Sequence, residues 1–333
     1  LRTKFAQEDG LNPVHKFCLD TVADRHLFHS MLRIASVAQG MITKGQPMIR
    51  HLPMFLSGLT AGRSLPSVAP QPFRDILPTI KQDVPNPKGK IAIFTGCLLD
   101  FVYVDIATDV VKALNMAGYI VEMPLGQACC GAPATYMGDV ENAKKAAEMN
   151  LNAMEAEKYD YIVSACPTCT HALRDYVDFF KDDPEMLKKA EELRSKTFDF
   201  CKLVSMLGGL PDTGDGVPMK VTYHDSCHLN RYLGVTKEQR ELLKATKGVE
   251  LIEMHDCDKC CGFGGSYSVK FPEMSAPILE EKINNIVASG ADVVAVDCPG
   301  CLLQIRGGLD ARGLNNIQVK HTAQIVVEKR EKK

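Results

Sequence analysis

The sequence predicts an α/β protein: two duplicated cysteine-rich α/β units with largely parallel sheets, preceded by a helical segment. Two observations predict it. Short apolar runs such as Ile91-Ala92-Ile93-Phe94 and Val293-Val294-Ala295-Val296 alternate with longer stretches of helical periodicity. Ten of the thirteen cysteines also recur as one pattern, used twice. The first copy is Cys97, then Cys129-Cys130-Gly131, then Cys166-Pro-Thr-Cys169; the second is Cys227, then Cys260-Cys261-Gly262, then Cys298-Pro-Gly-Cys301. From copy to copy the offsets of the first cysteine, the pair, and the two C-P-x-C cysteines are 130, 131, 132 and 132. Such constancy marks an internal duplication.

Residues 1–88 read as a helical lead-in and linker. Val14, Cys18, Val22, Met31, Ala35 and Ala38 recur at near-helical intervals, as one buried face would. Pro47 and Pro53 break the pattern, and a connector with Pro66, Pro70, Pro72, Pro78, Pro85 and Pro87 follows. The first unit, 89–206, opens with strand 91–94, a helix over about 104–117 ending at Gly118, and strand 119–123. A helix near 139–157, strand 161–163 and a trailing helix over about 184–206 complete it. The second unit, 207–333, begins with the connector Gly208–Gly216 and places strands at 221–223, 249–252 and 291–296. Uninterrupted apolar runs suit buried parallel strands. Each cysteine group then lies beyond strand carboxyl ends, where open α/β sheets hold their ligands.

Composition narrows the function. The 333 residues carry 39 basic and 41 acidic side chains, a net charge of −2, with a basic run only in the tail Lys329-Arg330-Glu331-Lys332-Lys333. Nucleic acid is therefore not an expected partner. No apolar stretch approaches the length of a membrane span, so membrane contact is expected to be peripheral at most. The chain begins at Leu1 and shows no signal-peptide layout, as a piece of a longer cytoplasmic protein would.

Structural disulfides fit poorly, because they crowd small domains that lack a core and adjacent cysteines bridge only through strain. Zinc takes four ligands and would leave one cysteine over in each unit. A multi-iron cluster accommodates five thiolates, including neighbours bound to different irons. Each C-P-x-C could alone pass for a redox dithiol at a helix N-terminus, but its fixed distance from the Cys-Cys-Gly unit makes it a ligand first. Haem attachment is excluded, since His171 stands two residues after Cys169 rather than directly after it.

Cys18 and Cys201 read as buried structural thiols on apolar helix faces. Cys257 forms a rival C-x-x-C with Cys260, but its counterpart 131 residues earlier is Gly126, so it is left outside the cluster. His224, Asp225 and His228 around Cys227, with Lys270, read as hydrogen-bonding neighbours and surface charge rather than proton donors. Gly262-Phe263-Gly264-Gly265 does not match a dinucleotide fingerprint.

The stretches Gly96-Cys97-Leu98-Leu99-Asp100, Gln127-Ala128-Cys129-Cys130-Gly131-Ala132-Pro133, Ala165-Cys166-Pro167-Thr168-Cys169, Cys260-Cys261-Gly262-Phe263-Gly264-Gly265 and Asp297-Cys298-Pro299-Gly300-Cys301 carry a resemblance. Over about 89–310, each unit resembles the cysteine-rich CCG domain of the heterodisulfide reductase group. That group includes heterodisulfide reductase subunits B and D and the iron–sulfur subunits of glycolate oxidase, anaerobic glycerol-3-phosphate dehydrogenase and lactate utilization systems. Ser266-Tyr267-Ser268-Val269-Lys270 is most similar to the lactate and glycolate branch. The resemblance implies two noncubane [4Fe-4S] clusters, held by Cys97, Cys129, Cys130, Cys166 and Cys169, and by Cys227, Cys260, Cys261, Cys298 and Cys301. It also implies a ferredoxin-like iron–sulfur domain or subunit as a partner, of which no cysteine run is present here.

The resulting expectation is an electron-transfer subunit of a cytoplasmic redox complex, peripheral at the inner face of the membrane where it meets one at all. A flavoprotein dehydrogenase would oxidise a 2-hydroxy acid such as lactate or glycolate and pass electrons through the clusters to a quinone, a disulfide or another carrier. The alternative is a catalytic subunit that cleaves a disulfide held between the two clusters. No flavin or nicotinamide site is evident, so hydride chemistry belongs to another chain.

Overall fold

The computed structural model describes residues 2–8, 10–43, 48–49, 64–211 and 216–331. Pro47, Pro53, residues 212–215 of the second connector, and Lys332-Lys333 lie outside the described residues.

Three helices lead in: α1 (Arg2–Glu8), α2 (Pro13–Ala23) and α3 (Arg25–Thr43). Asn12 caps α2 by accepting from the Val14 amide, with Pro13 at the first helical position. A two-residue antiparallel pair, β1 (Met48–Ile49) with β2 (Leu65–Pro66), interrupts the segment, followed by α4 (Phe73–Ile76). The expected buried face is turned round. Val14 is 67% exposed and Met31 44%; Cys18 and Ala35 are also exposed, while Leu19, Thr21 and Ala23 are buried. Both sides of α2 are apolar, and the side carrying Leu19 is the one that packs on Ala134 and Ala143 of the first unit. Cys18 is thus not a buried structural thiol.

The first unit runs β3 (Lys90–Ile93), α5 (Leu98–Phe101), α6 (Val104–Met116), β4 (Ile120–Glu122), α7 (Ala132–Met137), α8 (Val140–Met154), β5 (Tyr161–Ser164), α9 (Pro167–Asp175), α10 (Pro184–Lys196), β6 (Thr197–Asp199) and α11 (Phe200–Met206). The second runs β7 (Met219–Tyr223), a π-helical turn His228–Tyr232, α12 (Glu238–Lys244), β8 (Val249–Leu251), α13 (Tyr267–Lys270), α14 (Pro272–Ser289), β9 (Val293–Val296), α15 (Pro299–Ala311), β10 (Gln318–His321) and α16 (Thr322–Glu328).

Both sheets are four-stranded and wholly parallel, in the same connectivity: β4-β3-β5-β6 and β8-β7-β9-β10. The chain leaves the first strand of each unit to one side and returns on the other. The crevice at that reversal is where doubly wound sheets bind, and the loops after β3, β5, β7 and β9 open there. One strand per unit is absent from the sequence expectation. The stretch 184–206 is not one helix: Thr197-Phe198-Asp199 forms β6 between α10 and α11, and β10 is its counterpart.

The units are packed together rather than strung out. A single core joins Ile91, Val110 and Val204 of the first to Ile283, Val294, Ile305 and Val326 of the second. Each such side chain contributes about 1.5–3 kcal/mol when fully buried. Helix α6 meets α16 through Asp105 accepting from Gln324 at 2.8 Å, and the residues just after α16 through Lys112–Glu331 at 2.6 Å. Helix α11 meets α12 through Lys202–Glu238 at 2.8 Å.

The lead-in is fastened to the first unit by ions. Lys16 reaches Asp139 at 3.2 Å, and Arg74 pairs with Asp100. The Arg74 Nε donates to Asp100 Oδ2 at 2.7 Å and its backbone amide to Oδ1 at 3.0 Å, with Asp100 fully buried and Arg74 nearly so. Asp100 stands three residues after Cys97, so this pair sets the loop that carries the first cysteine.

Removing one member of such a pair leaves a buried charge without its partner. Arg74→Leu is expected to lower stability by about 3–5 kcal/mol, and the double variant Arg74→Leu/Asp100→Leu by clearly less. Urea denaturation of the apo-protein checks this. A single-variant loss no greater than that of the double variant would contradict it.

Candidate metal centres

Each functional cysteine is placed by a strand end. Cys97 follows β3 and Cys227 follows β7 after tight turns, Gly96 taking φ +57° where an added Cβ would come within 3.1 Å of the Cys169 sulfur. Cys166 and Cys298 are the N-caps of α9 and α15, with Pro167 and Pro299 at the first helical position and Cys169 and Cys301 one turn in. The C-P-x-C sequence is therefore a helix start: proline needs no N–H there, and the helix N-terminus favours negative sulfur. In the Cys-Cys-Gly loops, Gly131 (φ +78°) and Gly262 (φ +84°) occupy the left-handed region, and a Cβ on Gly262 would lie 2.8 Å from the Ser275 carbonyl oxygen.

The ten cysteines form one unbroken line of thiol contacts. Cys97 touches Cys129, Cys129 touches Cys130, Cys130 touches Cys169, and Cys169 touches Cys166. Cys166 then meets Cys298 of the other unit, and the line runs on through Cys301, Cys261 and Cys260 to Cys227. The Cys261 and Cys301 sulfurs are 3.4 Å apart. Each quintet gathered from the sequence is thus gathered in space, and the two abut.

Seven of the ten are buried, Cys97 and Cys227 are half-buried, and Cys260 is exposed. All thirteen cysteines are free thiols, so the line is not a disulfide framework. Neighbouring sulfurs and burial push the thiol pKa values in opposite directions along the line. Donation from Cys129 and then Cys169 lowers Cys130 to about 6. Donation from Cys227 and Cys261 lowers Cys260 to about 2, and Cys166 holds Cys298 well below the ordinary thiol range. The donors Cys97 and Cys129 are pushed up by their neighbouring sulfurs and by burial. Soft sulfur donors in groups of five, seven of the ten buried, suit an iron–sulfur group better than a tetrahedral ion.

The two Cys-Cys-Gly loops are pinned by different chemistry at equivalent places. In the first, Asn150 of α8 accepts from the Ala128 amide at 2.8 Å and donates to the Cys129 carbonyl at 2.9 Å, while the Tyr176 hydroxyl donates to the Cys130 carbonyl at 3.0 Å. In the second, Lys282 of α14, 132 residues later, donates to the carbonyls of Asp256 at 2.6 Å and Cys257 at 3.3 Å. Burial lowers the Lys282 pKa.

Behind the junction lies a buried polar group that sequence reasoning missed. His321 caps α16, its Nδ1 accepting from the Ala323 amide at 3.0 Å, so Nε2 carries the proton and donates to the Asp297 carbonyl at 3.2 Å. The ring also reaches the Ala165 carbonyl, and so spans the residues preceding Cys166 and Cys298. Asp297 accepts from the Tyr223 hydroxyl at 2.6 Å and from the Cys201 thiol at 3.5 Å. Cys201 is buried as expected, yet it lies across the unit boundary. Burial and then Asp297 raise Asp199 to about 7. His321 caps α16 where Asp199 caps α11, so the repeat carries no signal that marks it in the sequence.

At the open side, Tyr136 and His171 of the first unit meet His228 and Tyr232 of the second. The Tyr136 hydroxyl is 2.8 Å from His228 Nε2, and His228 Nδ1 is 3.7 Å from the Cys227 sulfur. Cys257 lies off the thiol line, its sulfur 3.5 Å from Arg240 Nη2, which also pairs with Asp225 at 2.8 Å. Lys270 is exposed. The His224 ring is buried with no hydrogen-bond partner among the described residues, and burial lowers its pKa to about 4. No helix among the described residues is long and apolar enough to cross a membrane.

A family profile described as the cysteine-rich CCG domain matches residues 91–174 and 221–306. The chain is 39% identical over 240 residues to the lactate utilization protein A of Shouchella clausii (strain KSM-K16), covering 72% of this chain and 99% of that protein. It is 36% identical over 238 residues to the lactate utilization protein A of Bacillus subtilis (strain 168), covering 71% and 98%. A solved hypothetical protein from Helicobacter pylori shares the fold alone, with a TM-score of 0.54 at 11% identity over 78% of this chain and 54% of that one. The duplicated parallel sheets, the gathered thiols and these matches agree, and the chain belongs to the cysteine-rich CCG family of proteins, whose clustered cysteines support iron–sulfur binding.

Proposed function

We propose that this chain is an iron–sulfur electron-transfer subunit of a redox complex that oxidises a 2-hydroxy acid of the lactate or glycolate type. Its donor is a flavoprotein dehydrogenase subunit, and its acceptor a quinone, a disulfide or another carrier. A ferredoxin-like iron–sulfur domain or subunit completes the chain of carriers. The naming of its relatives for lactate utilization supports the substrate class. The complex works in the cytoplasm, peripheral to the membrane where a quinone is the acceptor.

One observation carries the reading: the contact of Cys166 with Cys298, which joins two complete quintets. Cys97, Cys129, Cys130, Cys166 and Cys169 hold the first group, and Cys227, Cys260, Cys261, Cys298 and Cys301 the second. When bound, a noncubane [4Fe-4S] cluster at each place supplies one-electron transfer. The protein's part is physical. The helix N-termini at Cys166 and Cys298 favour the thiolate form, and burial of seven ligands excludes water. The His321 ring fixes the spacing between the two strand ends. Direct contact of the C-P-x-C units favours a relay over cleavage of a disulfide held between them. We propose the same three-part division as the sequence suggests, with 1–88 as the segment that fastens to the first unit.

Protein prepared without oxygen is expected to be brown and to hold about eight irons, about four per quintet. Cys129→Ser or Cys260→Ser should each remove about half the iron, and Cys257→Ser none. Iron and acid-labile sulfide assays check this; stoichiometric zinc, or full iron in both ligand variants, would overturn the ligand assignment.

The chain alone is expected to contain no flavin and to stay oxidised when mixed with lactate or glycolate. In the native complex either substrate should bleach the iron–sulfur absorbance. Reduction of the isolated chain by substrate would refute the relay.

A further inference from the structure

We propose that His224 is an additional donor to the second centre, presenting a ring N–H to sulfur there, and that it makes this centre easier to reduce than the first. The inference rests on the iron–sulfur reading and concerns a difference between the two sites.

His224 directly follows β7, and its backbone amide donates to the Ala295 carbonyl at 3.0 Å. In the first unit Phe94 directly follows β3 and donates to the Val163 carbonyl at 2.8 Å. The positions differ by 130, the offset that separates Cys97 from Cys227. They are one structural site occupied by two different rings. Phe94 is fully buried, and His224 is 1% exposed.

A phenyl ring in that place needs nothing further. An imidazole does, because its neutral form carries one N–H and one lone pair. Neither nitrogen of His224 has a hydrogen-bond partner among the described residues. A buried polar group left in that state carries its full desolvation cost. The ring is aimed at the missing partner: one nitrogen and the sulfurs of Cys261 and Cys301 lie within 4.8 Å of one another. Lys282, Cys298, Cys260 and Asp225 are the other charged or ionisable groups that act on it. Sulfur held by those cysteines is an acceptor, so the N–H is what the site can use. Hydrogen bonds to cluster sulfur are a lever on reduction potential, and the first site has no such donor at Phe94. Electrons are thereby biased toward the centre held by Cys227, Cys260, Cys261, Cys298 and Cys301, which gives the relay a direction.

The test uses the anaerobic holoprotein, with and without 15N-histidine. In the wild type, pulsed EPR of the second centre should show a histidine nitrogen coupling that changes on 15N labelling. His224→Phe should remove one histidine nitrogen coupling, leave any coupling from His228 beside Cys227 in place, and keep the iron. It should also lower the midpoint of the second centre so that electron sharing between the centres shifts about tenfold, about 59 mV for one electron. His224→Gln, which restores an N–H, should recover most of that shift, and Phe94→His should raise the midpoint of the first centre. Iron present at the second site with no histidine coupling, or a midpoint unmoved in His224→Phe, overturns the proposal. Loss of iron from both His224 variants, with no coupling in the wild type, also overturns it. Absence of iron from the wild type would instead sink the iron–sulfur reading itself.

Discussion

The meeting of Cys166 and Cys298 is the contact on which the rest of the architecture turns. Each sulfur sits at a helix N-terminus directly beyond a parallel strand, so its position is set by a sheet and a helix dipole rather than by a mobile loop. Two such units can bring these caps together only if their sheets are packed into one core and their strand ends face each other. The shared apolar cluster and the Lys112–Glu331 and Lys202–Glu238 ion pairs supply the first condition. The buried His321 ring, reaching carbonyls from both strand ends, supplies the second.

Duplication gave the units the same frame, and the differences between them are chemical. Asn150 with Tyr176 and, opposite, Lys282 hold equivalent loops through backbone carbonyls, one through an amide and a phenol and one through a buried lysine amine. Phe94 and His224 share one backbone bond pattern and differ in what they offer a neighbouring sulfur. Cys129 is buried, whereas its counterpart Cys260 is exposed. The two groups of five cysteines therefore have different surroundings.

Much of the fold was legible, for physical reasons. Side chains that must converge cannot drift along the chain, so the cysteine offsets stayed constant and exposed the duplication. Fully buried parallel strands such as Val293–Val296 appear as unbroken apolar runs. Strand β6 was not legible because Thr197-Phe198-Asp199 is three residues long and flanked by helices on both sides, so its periodicity merges with theirs. The lead-in misled because α2 and α3 are apolar on more than one side, and periodicity does not say which side packs. His321 and Asp199 were invisible because their surroundings include the other unit, and Lys282 because its partners are backbone carbonyls 25 and 26 residues earlier.

The most direct test of the central claim is the magnetic interaction between the two centres. EPR spectra of the holoprotein, with both centres paramagnetic, can be compared with those of Cys129→Ser and Cys260→Ser, each retaining one centre. Adjacent quintets require a spectrum that is split or broadened beyond the sum of the two variants. A spectrum equal to that sum would mean that the centres do not lie side by side, and would contradict the account.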